Sequence, residues 1–209
     1  MIDDLHPLLL GSGSPRRCEI LQGLGLPVRP RPVSVDEAPA PAEPPGPYLE
    51  RVVQSKLTAL AATRPIQPAG AMLVADTIVL CDGQILGKPR DEAQARAMLA
   101  VLSGRSHIVS TRFAIASPED PGRCLHAEDV HTEVWFRPLS DEHVLRYVAT
   151  GEIWDKAGSY AIQGIGGFAV TRIIGSYSNV VGLPACEVVA ALEKVGLLCG
   201  VPRSSAGPR

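Results

Sequence analysis

Residues 8–25 read LLLGSGSPRRCEILQGLG, and the order of residue types within them sets the fold class. Leu8, Leu9 and Leu10 form an apolar run without alternation, the pattern of a strand buried on both faces. Gly11 ends that run. Ser14 followed by Pro15 predicts a helix N-cap with proline at the first helical position, where no N–H is needed. Ile20, Leu21 and Leu24 share one face of the helix, and Gly25 supplies its end. The stretch is therefore strand, tight polar loop, helix. The backbone N–H groups of such a loop, together with the positive end of the helix, form an anion site. Arg16 and Arg17 follow at once, and a guanidinium fork matches phosphate geometry bidentately. An N-capped surface helix with solvated arginines would read the same way, and the stretch alone does not choose between the two.

The rest of the composition narrows the field. A chain of 209 residues, 45% hydrophobic and 20% charged, has enough material for one α/β domain with a full core. A net charge of −2 supplies no bulk basic field for a nucleic-acid polymer, so any phosphate site is local and suits a small nucleotide. The five cysteines, Cys18, Cys81, Cys124, Cys186 and Cys199, are odd in number and lack C-x-x-C spacing. They read as reduced thiols, not as a disulfide framework or a zinc site. Acidic residues stand where a signal peptide needs positive charge, and no apolar run is long enough to span a membrane. The expected location is the cytoplasm.

Outward from residue 25, "APAPAEPPGP" at 38–47 holds five prolines in ten residues and predicts a stiff extended loop within the domain. A helix follows, with Leu49, Val52, Val53, Leu57 and Leu60 as its apolar stripe. Lys56 lies on or beside that stripe, where a lysine ordinarily snorkels to water. "AMLVADTIVLCDGQILGKPRD" predicts two strands joined by a hairpin at Asp82-Gly83. Asp76 and Thr77 interrupt the first of these strands. A carboxylate in a buried strand is expensive without a partner, so Asp76 is either functional or part of a structural salt bridge. Beyond it come a helix over "DEAQARAMLAVLSG" and paired strands over "HIVSTRFAIA" and "CLHAEDVHTEVWFRPL". A helix capped by Ser140 is next, then a glycine-rich stretch of strands and turns, and a last helix over "LPACEVVAALEKVGLL". One domain is expected over residues 1–199 and a disordered tail over 200–209.

The polar residues at odd places form a chemical set. Arg16, Arg17, Lys56, Lys88 and Arg90 are the cations; Glu37, Asp76, Asp91 and Asp155 are the acids. Such a set suits a nucleoside triphosphate with a divalent metal: cations neutralise phosphate oxygens, and acids hold the metal and activate water. There is no G-x-x-x-x-G-K-[ST] and no G-x-S-x-G. His126 and His131, five apart on a strand, point to opposite faces and make poor joint ligands.

Five segments in order, "SGSPRRCEIL", "ADTIVLCDGQILGKPRD", "LSGRSHIVST", "GEIWDKAGSYAIQGIGG" and "IIGSYSNVVGLP", resemble the Maf family of nucleoside triphosphate pyrophosphatases, from Leu8 to about Leu197. The resemblance implies a single α/β domain with a long mixed twisted sheet flanked by helices, related to inosine triphosphate pyrophosphatases. It implies attack of water on the α-phosphorus with release of pyrophosphate, a Mg²⁺ or Mn²⁺ cofactor and a homodimer. It makes Asp76 the proton acceptor, Ser14, Arg16, Arg17, Lys56 and Lys88 substrate-binding, and Glu37, Asp76 and Asp91 the acids near the metal. Arg16, Thr77 and Gln163 match the branch similar to dTTP/UTP pyrophosphatases. The 7-methyl-GTP branch carries glutamate where Gln163 stands, and an amide offers a uracil or thymine edge both a donor and an acceptor. A 7-methyl-GTP pyrophosphatase and a non-catalytic nucleotide-binding regulator of septum formation are the alternatives. Gly11 departs from the family's usual alanine.

Overall fold

The computed structural model describes residues 1–63 and 68–200. Of the expected tail at 200–209, residues 201–209 lie outside them. β1 (Leu8–Leu10) and α1 (Pro15–Gly23) follow the expected strand–loop–helix order. All three leucines of β1 are buried, and the strand is interior to the sheet, pairing in parallel with β2 (Val28–Pro30) and with β3 (Ala71–Cys81). Its register against β3 sets Leu8 opposite Ala71 and Leu10 opposite Leu73.

α2 (Pro45–Ala62) begins three residues earlier than the sequence suggests. Pro45 and Pro47 sit in its first turn, where a missing N–H costs nothing, so the last part of the proline-rich segment is helix and not loop. Downstream come β4 (Gln84–Leu86), α3 (Glu92–Leu102), β5 (Ser106–Ser117), β6 (Asp120–Phe136), α4 (Asp141–Ala149), β7 (Val170–Ile174), α5 (Tyr177–Val181) and α6 (Ala185–Lys194). The hairpin at Asp82-Gly83 forms as expected, with φ of 50° and 77°, the left-handed pair of a tight primed turn. The glycine-rich stretch holds one strand; around it lie the 3₁₀ turns Ala157–Ser159 and Gly164–Ala169, the short α5 after β7, and irregular loop.

The seven strands form one mixed sheet in the order β2-β1-β3-β5-β6-β7, with β4 antiparallel to β3. The chain divides into two compact units. The first comprises 1–76, 112–129 and 182–209, and the second 77–111 and 130–181, so the divisions fall inside β3, β5 and β6. The proline-rich segment lies wholly within the first unit. A core of the first unit gathers Leu9, Val53, Leu57, Leu60, Met72, Val74, Ala114 and Ala116. The second packs Val79, Leu99, Leu102, Val134, Phe136, Tyr147 and Ile153 with their neighbours. Among the described residues no helix is long and apolar enough to cross a membrane.

Candidate active site

Among its described residues the first unit buries three charged side chains. Arg17 comes from α1, Lys56 from α2 and Asp76 from β3, each less than one-tenth exposed. Lys56 occupies the helical stripe itself, alongside Val52, Val53, Leu57 and Leu60, all buried. It does not snorkel. Its Nζ lies 2.7 Å from Asp76 Oδ1 and 2.7 Å from Glu37 Oε1, one ammonium shared by two carboxylates. An unpaired charge at this depth would cost several kcal/mol, on the order of the penalty for any buried ion, and this pairing offsets it.

Arg17 is tied inward. Its Nε donates to the Gly182 carbonyl at 2.7 Å, and its Nη1 donates to Ser12 Oγ at 3.1 Å and to the Ala75 carbonyl at 2.8 Å. It therefore fastens the peptide next to Asp76 to the loop after β1. Burial pulls its pKa down from the ordinary arginine value, while the negative charges of Asp76 and Glu37 pull it back up. Arg16, one residue earlier, is half-buried at the start of the same helix. Ser14 holds the N-cap position of α1 but makes no side-chain cap. Ser12 does the local work, its Oγ accepting from the Ser14 amide at 3.2 Å as well as from Arg17. So the loop closes on Ser12, a residue that the sequence reading passed over.

The first unit thus brings Ser14, Arg16, Arg17, Glu37, Lys56 and Asp76 into one body, with a direct cluster of Glu37, Lys56 and Asp76. The other sequence-derived candidates belong to the second unit. Thr77, half-buried, shares a 2.9 Å hydrogen bond with Thr111. Lys88 is exposed just after β4. Asp91 caps α3, its Oδ1 accepting from the Gln94 amide at 2.7 Å. Gln163 is exposed at the N-cap position of the 3₁₀ turn Gly164–Ala169. Glu152 fixes that turn by accepting from the amides of Ile165 at 3.2 Å and Gly166 at 2.9 Å.

Among the described residues no group of three or more His, Cys, Asp or Glu side chains is gathered as for a metal ion. The donor chemistry nevertheless fits a hard, hydrated cation. Lys56 engages one oxygen of each carboxylate, a carboxylate accepts at two oxygens, and Mg²⁺ needs only one or two carboxylates beside waters and substrate phosphates.

Three more residues shape the site without a local sequence signature. Tyr48 donates its hydroxyl to the Glu37 carbonyl at 2.9 Å, Arg51 reaches the carbonyls flanking Glu37, and Glu43 holds Arg51. The partners of Tyr48 and Arg51 at residues 36–38 are main-chain oxygens, which no spacing rule reveals.

The profile of the Maf-like protein family matches residues 7–195. A dTTP/UTP pyrophosphatase from Citrifermentans bemidjiense is 47% identical over 191 residues, covering 91% of this chain and 96% of its own length. The protein of the same name from Geobacter sulfurreducens is 47% identical over 192 residues, covering 91% of this chain and 97% of its own. The one from Neisseria gonorrhoeae is 42% identical over 202 residues, covering 92% and 95%.

Proposed function

This chain belongs to the Maf-like family, and we propose that it hydrolyses dTTP and UTP to the nucleoside monophosphate and pyrophosphate with the help of a divalent cation. The observation that carries the proposal is the buried ammonium of Lys56 between Asp76 and Glu37, in the same unit as the loop and helix start that bear Arg16. The relatives' names supply the nucleotide class.

Each residue then has a task. Lys56 holds Asp76 Oδ1, which orients the carboxylate for its task of accepting the proton of the attacking water. Glu37 and Asp76 are the donors that would hold Mg²⁺ or Mn²⁺; when bound, the cation would polarise phosphate oxygens and offset charge as pyrophosphate leaves. Arg16 contacts phosphate at the N-terminus of α1, where loop amides also point. Arg17 acts as a fixed positive charge beneath the loop, because its Nε and Nη1 are committed to protein oxygens. Lys88 adds charge to the triphosphate, and Asp91, as well as capping α3, stands as a further acid toward the metal. Gln163 reads the base, with Thr77 shaping the pocket. Nucleoside triphosphate pools place such an activity in the cytoplasm.

The test is a substrate panel of dTTP, UTP, CTP and 7-methyl-GTP with Mg²⁺, run on the wild type and on Gln163→Glu. The wild type releases pyrophosphate from dTTP and UTP, and the variant loses kcat/KM on both by about 5- to 100-fold, the scale of one lost buried partner. Absence of pyrophosphate from either pyrimidine nucleotide rejects the proposal. Equal losses on all four nucleotides, with a lowered Tm, remove base reading from Gln163.

A further inference from the structure

The segment that carries Glu37 is gripped at three successive carbonyls. Arg51 Nη1 donates to the Asp36 carbonyl at 3.4 Å, a weak bond. Tyr48 donates to the Glu37 carbonyl at 2.9 Å, and Arg51 Nη2 donates to the Ala38 carbonyl at 3.0 Å. Arg51 is itself held by Glu43, whose Oε1 accepts from Nε and whose Oε2 accepts from Nη2, both at 2.7 Å. The same Oε2 accepts from the Ala40 amide at 2.9 Å, and Glu43 N returns to the Ala40 carbonyl at 3.0 Å, closing a turn with Ala42 at φ 55°. The guanidinium also lies over the Tyr48 ring, 5.5 Å from its centroid.

Two features make this more than a surface ion pair. The Glu43 side chain is only 11% exposed, and its two-point contact is the planar fork geometry that lysine does not reproduce. Arg51's hydrogen bonds, followed by that of the Ala40 amide, hold the Glu43 carboxyl down at about 2, so the fork stays charged through the neutral range. The clamp ends on the residue whose carboxylate meets Lys56. An extended segment rich in proline has no ladder of its own to fix its register. Arg51 and Tyr48, one turn apart on α2, provide that register from the helix that also carries Lys56. The rigid element that presents the ammonium therefore also sets where its second carboxylate stands.

We propose that Arg51 is a positioning residue: braced by Glu43, it fixes the backbone at 36–38 so that the Glu37 carboxylate stays on Lys56, and it governs catalysis through Glu37. The inference rests on the reading of Glu37 as a site acid. Nothing in it depends on which base is read.

The experiment is a double-mutant cycle on kcat/KM for UTP with Mg²⁺, using Arg51→Met and Glu37→Gln, with Tm and hydrogen exchange measured alongside. Arg51→Met costs about 10- to 100-fold in the wild-type background, the scale of losing an outer support of a site ligand. In the Glu37→Gln background it costs less than about 3-fold, because the group it positions is already disabled. Amides of residues 36–43 exchange faster in Arg51→Met. Tyr48→Phe removes only the hydroxyl, keeps the ring packed, and gives a smaller loss in the same direction; it carries the cycle if Arg51→Met fails to fold. Equal losses in both backgrounds overturn the proposal, as does unchanged exchange at 36–43. If the wild type releases no pyrophosphate from UTP or dTTP, the proposed function falls and the exchange result alone decides the clamp.

Discussion

The two compact units bury polar groups of different kinds. Among the described residues of the first, the buried polar side chains are Ser12 and three charges, Arg17, Lys56 and Asp76. In the second they are uncharged side chains: Ser110, Thr111, Thr132, Ser159 and Asn179, together with His107. Burying a charge is costly even when it is paired, and well-packed apolar residues of similar volume would usually serve stability as well or better. Neutral groups cost less and can pin loops and strands. Asn179 does so, its Nδ2 sharing two N–H groups among the Val109 carbonyl at 3.2 Å, the Val130 carbonyl at 3.1 Å and Thr132 Oγ1 at 3.0 Å. On the proposed function, the charged set of the first unit is held for chemistry, while the neutral set of the second holds the fold.

The largest expected effect tests the charged side of this contrast. Asp76→Asn should lower turnover of UTP by roughly 10²–10⁴, the scale of losing a general base. Folding should survive, because Lys56 retains Glu37 at 2.7 Å. Steady-state kinetics and a melting curve check both halves. A variant with wild-type turnover would make the cluster a structural ion pair and dissolve the distinction between the units.

The neutral side is tested by acid. His107 is 3% exposed, its Nε2 paired with the Tyr160 hydroxyl at 2.7 Å and its Nδ1 buried without a partner among the described residues. Burial lowers its pKa from 6.5 to about 4. Between these values the unfolded chain takes up a proton that the native state refuses. The stabilisation is therefore complete above pH 6.5 and is lost as pH falls toward 4, to a total of ~3 kcal/mol. Other groups titrate in this range, so the measurement is a comparison of wild type with His107→Gln by urea denaturation. The wild type should lose about 1.5 kcal/mol more than the variant between pH 6.5 and about pH 5. Parallel losses would mean that the ring is charged in the native state.

The first strand–loop–helix was legible because each of its signals is local: an unbroken leucine run, a serine, then a proline at the helix start. The hairpin at Asp82-Gly83 and the capped helices were legible for the same reason. Asp76 stood out because a carboxylate in an apolar run conflicts with its surroundings. Lys56 was read against the usual habit of lysine, and only the packed structure shows two acids waiting inside. Ser14 stands at the N-cap position as read, but its side chain makes no cap, and the Ser12 hydroxyl that accepts from its amide carries no helix-start signal of its own. The Arg51 clamp was invisible because the oxygens by which it grips residues 36 and 38 are backbone carbonyls, which every residue possesses. The register of β1 on β3, which brings α1 and Asp76 into one unit, is likewise a long-range pairing.

The smallest expected effect concerns the loop that the charged cluster depends on. A Cβ at Gly11 would lie 2.7 Å from Val74 Cγ1 and 2.9 Å from Leu60 Cδ2, both closer than packed atoms allow. The Leu60 methyl is the far end of a flexible side chain and can swing away. Val74 is β-branched, fully buried in β3 and two residues from Asp76, so it yields only by moving the strand. Gly11 is also fastened, its amide donating to the Leu73 carbonyl at 2.8 Å. Gly11→Ala should therefore destabilise by about 1–2 kcal/mol through overpacking. Val74→Ala is destabilising on its own, by the cavity it leaves. Combined with Gly11→Ala it should recover part of the loss, because the new methyl fills space that the valine vacates. Urea denaturation of the four proteins should give a favourable coupling of ~0.5–2 kcal/mol, as contacting sites do. Additive losses would show that Leu60 alone accommodates the methyl and that the loop is not braced against β3 at Val74.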